Sequence, residues 1–178
     1  MCGIVGYVGD GDASTIVFEG LRRLEYRGYD SAGLAVIAGN RIELRRSVGK
    51  LSNLADVLAE TPPSGAIGIG HTRWATHGRP SETNAHPHID CLRETVVIHN
   101  GIVENYLELR RRLRAQGHIF RSETDTEVIV HLIAKSRGAT LRERVVEALS
   151  QVEGAYSLLF MDGRSLVAVR DPMGFRPL

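Results

Sequence analysis

The sequence predicts an α+β domain in which sheets built from hairpins are covered by helices. The predicted strands come in hairpins, and the predicted helices form a block between them. A parallel sheet would instead need strands and helices in regular alternation. The chain has 178 residues, of which 43% are hydrophobic, and this is enough for one domain with a substantial core.

The strand predictions rest on short, apolar, β-branched segments that are bounded by turn residues. Gly39-Asn40 and Asp162-Gly163 are predicted hairpin turns. The polar segment from His71 to about Asp90 is predicted to be a long loop. The predicted strands are residues 3–8, 33–38, 41–47, 66–70, 95–99, 155–161 and 165–170.

The helix predictions rest on apolar residues spaced three and four apart. Asn105 with Glu108, and Thr140 with Glu143, have the spacing of N-terminal capping pairs. Gly117 is the predicted end of the helix that starts at Asn105. The predicted helices are residues 13–24, 51–60, 105–117, 125–136 and a stretch that begins at 140.

Composition excludes several classes of function. The formal net charge is +1, so nothing indicates a nucleic-acid partner. The chain has no apolar run near the roughly 18 residues of a membrane span and no secretory signal, so we expect a cytoplasmic protein. The two cysteines, Cys2 and Cys91, are too few for a disulfide framework. Each is a candidate nucleophile, ligand or small core residue.

Cys2 is the first candidate catalytic residue. The initiator methionine is removed most readily before a small residue, so we expect Cys2 to become the N-terminus. Its α-amine, with an ordinary pKa of about 7.7 to 8.0, then has a neutral fraction that can take the thiol proton. The thiolate is the reactive nucleophile. The alternative is a small buried residue on the first strand. Cys91, in a polar segment, has no adjacent base in the sequence.

The segment His99-Asn100-Gly101 is predicted to leave a strand and enter a turn. Such a turn can direct a backbone N–H and the Asn100 amide toward one point, where they would stabilise an oxyanion. The alternative is an ordinary Asn-Gly turn, which is common.

The segment from His71 to Gly78 contains the only tryptophan, Trp74, together with Arg73 and two histidines. An arginine there could bind a carboxylate through two hydrogen bonds, and Trp74 could cover a small ligand. Asp125 could pair with an ammonium group, although an aspartate before a helix is usually just a cap. An arginine and an aspartate in one pocket would select a zwitterionic amino acid.

No metal site and no cofactor are predicted. Five histidines are close in sequence, but neither an HExxH helix nor a pair of CxxC motifs is present. Three glycines near residue 68 imitate part of a dinucleotide fingerprint, but no helix follows them. The histidines in question are His71, His77, His86, His88 and His99.

Together these motifs resemble the glutaminase domain of glutamine–fructose-6-phosphate aminotransferases, which are class II glutamine amidotransferases. The resemblance extends from residue 1 to about 160. The matching segments are MCGIVG (1–6), LEYRGYDSAG (24–33), HTRWATHG (71–78), NAHPH (84–88), HNG (99–101) and SETDTE (122–127).

The resemblance implies an N-terminal nucleophile hydrolase with a four-layer αββα sandwich. It implies that Cys2 is the nucleophile and its α-amine the base, and that the Asn100 side chain and the Gly101 backbone form the oxyanion hole. It also implies that L-glutamine is bound by Arg73 at its carboxylate and by Asp125 at its ammonium. The remaining implied residues are Thr76 and His77 in the glutamine-binding loop, Trp74 at the passage for ammonia, and Arg27 as support for Cys2.

The sequence differs from the glutamine–fructose-6-phosphate aminotransferases in two respects, and these differences leave the identity of the ammonia acceptor undetermined. Residues 170–178 resemble amidophosphoribosyltransferase or asparagine synthetase, which share the fold. A sugar-phosphate isomerase domain is absent, and residues 174–178 form no closing element, so we interpret residues 1–178 as a truncated glutaminase domain. A non-catalytic glutamine sensor is the alternative from another class, and the combination of Cys2, Asn100 and Gly101 argues against it.

Overall fold

The computed structural model describes residues 2–178, and the initiator methionine lies outside this range. The described residues form eight strands and five α-helices, with one 3-10 turn at Glu25–Arg27. The strands are β1 (Gly3–Val8), β2 (Ser31–Ala38), β3 (Arg41–Val48), β4 (Ile67–Arg73), β5 (His88–Ile89), β6 (Thr95–Val103), β7 (Gly154–Asp162) and β8 (Leu166–Arg170). The helices are α1 (Ala13–Leu24), α2 (Leu51–Glu60), α3 (Tyr106–Ala115), α4 (Glu127–Lys135) and α5 (Leu141–Leu149).

The strands form two antiparallel sheets of four strands each. The first sheet has the order β1-β4-β2-β3, and the second has the order β5-β6-β7-β8. Helices α1 and α2 pack on the outer face of the first sheet, and α3, α4 and α5 pack on the outer face of the second. This arrangement confirms the predicted α+β class and its αββα layers.

Three hydrophobic cores hold the four layers together. Two of these cores include residues of β2, because successive side chains of a strand point to opposite faces of the sheet. Leu34 and Val36 pack toward α1 and α2, whereas Ala35 and Ile37 pack toward the second sheet. Since both faces are covered, β2 is apolar without interruption from Ala32 to Ala38, as is typical of a fully buried strand.

The sequence predicted one hairpin turn and two helix caps, and not all of these predictions are correct. The Gly39-Asn40 hairpin is confirmed, since Ala38 pairs with Arg41. The Thr140–Glu143 capping box is also confirmed. Asn105 is the N-cap residue of α3, as expected, but the predicted Asn105–Glu108 capping pair is wrong: the Asn105 amide donates to the carbonyl oxygen of Gln151 and accepts from the Glu153 N–H. Asn105 therefore joins the start of α3 to the segment before β7.

Two strands run further than predicted. Strand β4 continues to Arg73, into the segment predicted to be a loop, because it is paired with both β1 and β2. Strand β6 continues to Val103, so the predicted turn at Asn100-Gly101 is wrong. The long strand β7 pairs with β6 throughout, and its hydrogen bonds outweigh the local turn preference of Asn-Gly.

Among residues 2–178, no helix is both long and apolar enough to cross a bilayer.

The hydrophobic core between the two sheets should contribute strongly to the stability of the domain. Ile98 on β6 is fully buried there, whereas Ile102 on the same strand is 40% exposed. We expect Ile98→Ala to lower the free energy of unfolding by about 2 to 5 kcal/mol, because it removes buried methyl groups and leaves a cavity. Ile102→Ala, the matched control, should cost about 1 kcal/mol or less. Urea unfolding measures both, and equal losses would contradict the assigned core.

Candidate active site

One pocket of about 240 Å³ lies at an end of the sandwich, where the two sheets meet. It brings together side chains that are far apart in the sequence. All eight residues proposed from the sequence line it, namely Cys2, Arg73, Trp74, Thr76, His77, Asn100, Gly101 and Asp125. Arg27, the proposed support for Cys2, lines it as well.

Cys2 lies directly before β1 and is partly exposed in the wall of the pocket. Its Sγ accepts a hydrogen bond from the Trp74 N–H at 3.2 Å and lies 3.6 Å from the Trp74 carbonyl oxygen. Burial raises the pKa of the Cys2 thiol, so the thiol form dominates at neutral pH. Within residues 2–178, Sγ has no hydrogen bond to a side chain that could serve as its base.

Asn100 is held in one orientation by groups from the other sheet. Its Oδ1 lies 2.9 Å from His71 Nε2, which also lies 3.1 Å from the carbonyl oxygen of His99. Both partners are acceptors, so His71 Nε2 carries the proton and donates. The Asn100 amide nitrogen therefore faces Cys2 and donates to its carbonyl oxygen at 3.2 Å. One of its two N–H groups remains for a ligand.

Gly101 has a backbone that other residues adopt only with strain. Its φ is +147°, and a Cβ atom there would lie 2.0 Å from the carbonyl oxygen of Ala155. The Ala155 carbonyl oxygen belongs to the backbone of β7, which is paired with β6, so it cannot move aside to make room for a side chain at residue 101. The sequence interpretation of Gly101 as a turn residue missed this requirement of the strand.

Arg73 ends β4 and binds the segment that follows it. Its Nη2 donates to the carbonyl oxygens of His77 and Gly78, the latter at 3.0 Å. Its Nη1 is buried and has no hydrogen-bond partner among residues 2–178, and the nearest carboxylate oxygen, from Asp30, is 3.9 Å away. The guanidinium thus presents an unsatisfied, charged donor at the pocket.

Asp125 is not a helix cap. The N-cap position of α4 is Thr126, and the Asp125 Oδ2 accepts instead from the Val103 N–H at 2.9 Å. The other oxygen, Oδ1, lies 3.9 Å from His77 Nδ1. Asp125 is 4% exposed, so its carboxylate is a buried acidic group that lines the same pocket as Arg73 from a different segment of the chain.

The segment after Arg73 contributes the outer part of the pocket. Trp74 is 49% exposed, and its ring packs edge-on against Tyr29 with a centroid distance of 5.4 Å. Thr76 Oγ1 lies 3.4 Å from His77 Nδ1. The backbone N–H of Ala75 donates to the Asp30 carboxylate, which fixes the start of this segment.

Buried histidines form the floor beneath the pocket. The Thr126 hydroxyl lies 3.0 Å from His86 Nε2 and 2.9 Å from His99 Nδ1. The rings of His71 and His86 lie 4.3 Å apart, centroid to centroid. Burial lowers the pKa of His71 to about 3 and that of His99 to about 4, and it also lowers the pKa of His86. These imidazoles are therefore neutral at physiological pH.

Several residues of the site were missed by the sequence interpretation. Asp30 contacts both Arg73 and the Ala75 N–H, although it stands in a segment that was quoted only for resemblance. Arg176 and Pro177 also line the pocket, although residues 174–178 form no helix or strand, as expected. Asp171 holds them in place by accepting from the Arg176 N–H at 3.2 Å. No sequence spacing connects these residues to Cys2.

Comparisons with known proteins agree with this geometry. A family described as "Glutamine amidotransferase domain" matches residues 71–178. Glutamine–fructose-6-phosphate aminotransferase [isomerizing] of Thermus thermophilus is 54% identical over 172 residues, which are 96% of this chain and 28% of that protein. The Escherichia coli K12 protein of the same name is 54% identical over 177 residues and is covered to 29%.

A solved structure of another glutamine amidotransferase has the same fold as this chain. Glutamine phosphoribosylpyrophosphate amidotransferase from B. subtilis, in complex with ADP and GMP, superposes with a TM-score of 0.88. It is 31% identical, and the match covers 99% of this chain and 38% of that one.

The chain belongs to the glutamine amidotransferase domain family. Its fold is the N-terminal nucleophile hydrolase sandwich of that family, as the resemblance implied. The two curated relatives named above are glutamine–fructose-6-phosphate aminotransferases, and the chain spans a little under a third of their length.

The buried histidines predict how stability depends on pH. Burial lowers the pKa values of His71 and His88 to about 3 and of His99 to about 4, against 6.5 in an unfolded chain. The unfolded state therefore binds more protons below pH 6.5, so their contribution is complete above pH 6.5 and is lost as the pH falls toward 4. Each histidine lowers the free energy of unfolding by up to about 1.4 kcal/mol for every pH unit below 6.5.

Urea unfolding between about pH 7 and about pH 5 measures this slope. His99→Asn keeps a polar group that can hydrogen-bond the Thr126 hydroxyl in place of Nδ1 but cannot titrate, so it should make the slope shallower by up to about 1.4 kcal/mol per pH unit. A free energy of unfolding that stays constant across this range would show that the imidazoles are not buried in the neutral form.

Proposed function

We propose that this chain hydrolyses the side-chain amide of L-glutamine to glutamate and ammonia through a thioester on Cys2. One observation carries the proposal: Cys2, the unsatisfied Arg73 guanidinium, the Asn100 amide and the Asp125 carboxylate all line one pocket of about 240 Å³. These four groups come from four separate segments, and together they supply a nucleophile, an oxyanion donor and two opposite charges.

The chemistry starts with transfer of the thiol proton to a base. Since no side chain among residues 2–178 hydrogen-bonds Sγ, the Cys2 α-amine is the base, and it becomes available when the initiator methionine is removed. The thiolate attacks the amide carbon, and the carbonyl oxygen becomes an oxyanion. The remaining Asn100 N–H and the Gly101 backbone N–H are the proposed donors to that oxygen.

The tetrahedral intermediate then collapses. The carbon–nitrogen bond breaks, the nitrogen takes the proton from the α-ammonium, and ammonia leaves. Water attacks the thioester with the α-amine again accepting a proton, and glutamate departs as Cys2 is restored. No cofactor is required, because each step moves only protons and an acyl group.

Recognition of glutamine rests on the two charges. Arg73 Nη1 can donate to the α-carboxylate, which would satisfy its missing partner. Asp125 Oδ1 can accept from the α-ammonium. Thr76 and His77 border the same space, and the half-exposed Trp74 also lines it. The segment 74–78 is held by Arg73 itself, so binding at the carboxylate and the position of this segment are connected.

We further propose that residues 1–178 form the glutaminase domain of a longer protein that uses the ammonia to aminate fructose 6-phosphate on a sugar-phosphate isomerase domain. The 54% identity to aminotransferases of that name supports this acceptor. The second candidate is an amidophosphoribosyltransferase, which residues 170–178 and the 31% identical structure favour. The higher identity, 54% against 31%, favours fructose 6-phosphate as the acceptor.

The role of Cys2 leads to the first functional prediction. We expect Cys2→Ala to lower glutaminase turnover to less than about a thousandth, because the nucleophile is lost. Glutamine binding should persist, since Arg73 and Asp125 are unchanged. Coupled glutamate detection measures the turnover, and calorimetry measures the binding. As a control, intact-mass analysis of active wild-type protein should find a chain that starts at Cys2. Full activity with Met1 retained would disprove the α-amine mechanism.

The role of Arg73 leads to the second functional prediction. We expect Arg73→Ala to reduce kcat/KM for glutamine by at least about a hundredfold, because the α-carboxylate loses its partner in a buried site. Arg73→Lys should lie between wild type and Arg73→Ala, since it keeps the charge but not the planar fork.

A truncated substrate separates charge recognition from positioning of residues 74–78. 4-Aminobutanamide is glutamine without its α-carboxylate, so the penalty of Arg73→Ala should largely disappear with it. An equal loss for both compounds would show that Arg73 acts only by holding the carbonyl groups of His77 and Gly78.

A further inference from the structure

A second group of metal-ligand side chains lies away from the pocket around Cys2. Cys91 follows β5, His118 follows the end of α3, and His131 lies within α4. Their Sγ and imidazole nitrogen atoms all lie within 4.8 Å of one another. It is the one such group found among residues 2–178. The expectation that Cys91 has no adjacent base is therefore wrong.

The spacing of these atoms suits a tetrahedral ion. Cys91 Sγ lies 3.7 Å from His131 Nδ1. With Zn–S of about 2.3 Å and Zn–N of about 2.0 to 2.1 Å, two ligands at the tetrahedral angle are about 3.6 Å apart. A hydrogen bond between a thiol and an imidazole would be an alternative for this pair, but it does not account for His118. The two histidine rings meet edge to face, with centroids 5.1 Å apart.

The other nitrogen of His131 has the environment of a metal-bound histidine. Its Nε2 is buried and has no hydrogen-bond partner among residues 2–178, and the nearest carboxylate oxygen is Glu127 Oε1 at 3.7 Å. Histidine ligands commonly direct their second nitrogen to a carboxylate, which fixes the tautomer. Glu127 is itself anchored by the N–H groups of Arg121 and Ser122, at 2.8 and 2.7 Å.

The exposure of the three ligands allows an ion to enter. Cys91 is exposed, His118 is partly buried, and His131 is 1% exposed. A pocket of about 180 Å³ runs beside Cys91 and His131 and also reaches Glu127. An ion at this point would have three protein ligands from one side and water at the fourth position. A thiolate with two imidazoles favours Zn²⁺ over Mg²⁺ or Ca²⁺, which prefer oxygen.

We propose that Cys91, His118 and His131 bind a zinc ion, with Glu127 orienting His131. The site joins the β5–β6 turn, the end of α3 and the middle of α4. Helix α4 begins directly after Asp125 and Thr126, which line the pocket around Cys2. The ion therefore stabilises the helix that supports one wall of that pocket, and it takes no part in the chemistry at Cys2.

Cobalt(II) is the probe, because its absorption reports both tetrahedral geometry and a bound thiolate. The experiment uses Cys2→Ala protein under reducing conditions, since Cys91 is then the only thiol in the chain. We expect one equivalent of Co²⁺ to produce a sulfur-to-cobalt charge-transfer band, and Zn²⁺ to displace it. Zinc should also raise the midpoint of thermal unfolding, and the increase should grow with the free zinc concentration.

Variants in the same background identify the ligands. Cys91→Ser should abolish the charge-transfer band, and His118→Ala should weaken cobalt binding by more than about tenfold. His77→Ala is the matched control, because His77 is a partly exposed histidine outside the cluster, and its cobalt affinity should be unchanged. Circular dichroism establishes that each variant is folded. Absence of a thiolate band in Cys2→Ala protein, or an unchanged affinity in His118→Ala, would overturn the site.

Discussion

The hydrogen bonds around Asn100 are the constraint on which the candidate site depends. Asn100 lies on β6 of the second sheet, while His71 lies on β4 of the first sheet and Cys2 leads into β1. The bond from His71 Nε2 and the bond to the Cys2 carbonyl oxygen thus cross between the two sheets. Because both donors and acceptors are specified, the amide cannot turn over without leaving buried polar atoms unpaired. The same bonds set the distance between the thiol and the proposed oxyanion donor.

Burial determines the charges at this end of the molecule. The histidines beneath the pocket are neutral because desolvation lowers their pKa values. The charged side chains that line the pocket are therefore Arg27, Arg73, Arg176 and Asp125, with Asp30 close to Arg73. Burial also lowers the pKa of Arg73, but an arginine remains charged at any physiological pH. A zwitterionic ligand would satisfy the charges of Arg73 and Asp125, which is why the proposed substrate is an amino acid rather than a neutral amide.

Local signals in the sequence predicted most of the helices and strands, and they failed where tertiary pairing competes with them. The Asn100-Gly101 pair is a strong turn signal, but β7 provides a continuous partner and the residues remain in a strand. Asn105 has the spacing of a helix cap, but its amide is used to hold the segment before β7. Asp125 likewise precedes a helix without capping it. In each case a polar side chain found a better partner outside its own segment.

The sequence by itself determined the α+β class, the position of the candidate nucleophile and the set of side chains proposed to bind glutamine, because hydrophobic periodicity and short motifs are local properties of the chain. Only the tertiary structure decided that Arg73 has an unsatisfied nitrogen, that His71 orients Asn100, and that Arg176 reaches the pocket. It also decided that Cys91 and His131 are neighbours, although forty residues separate them. These facts depend on which strands pair and which helices pack, and no spacing in the sequence encodes a contact between two sheets.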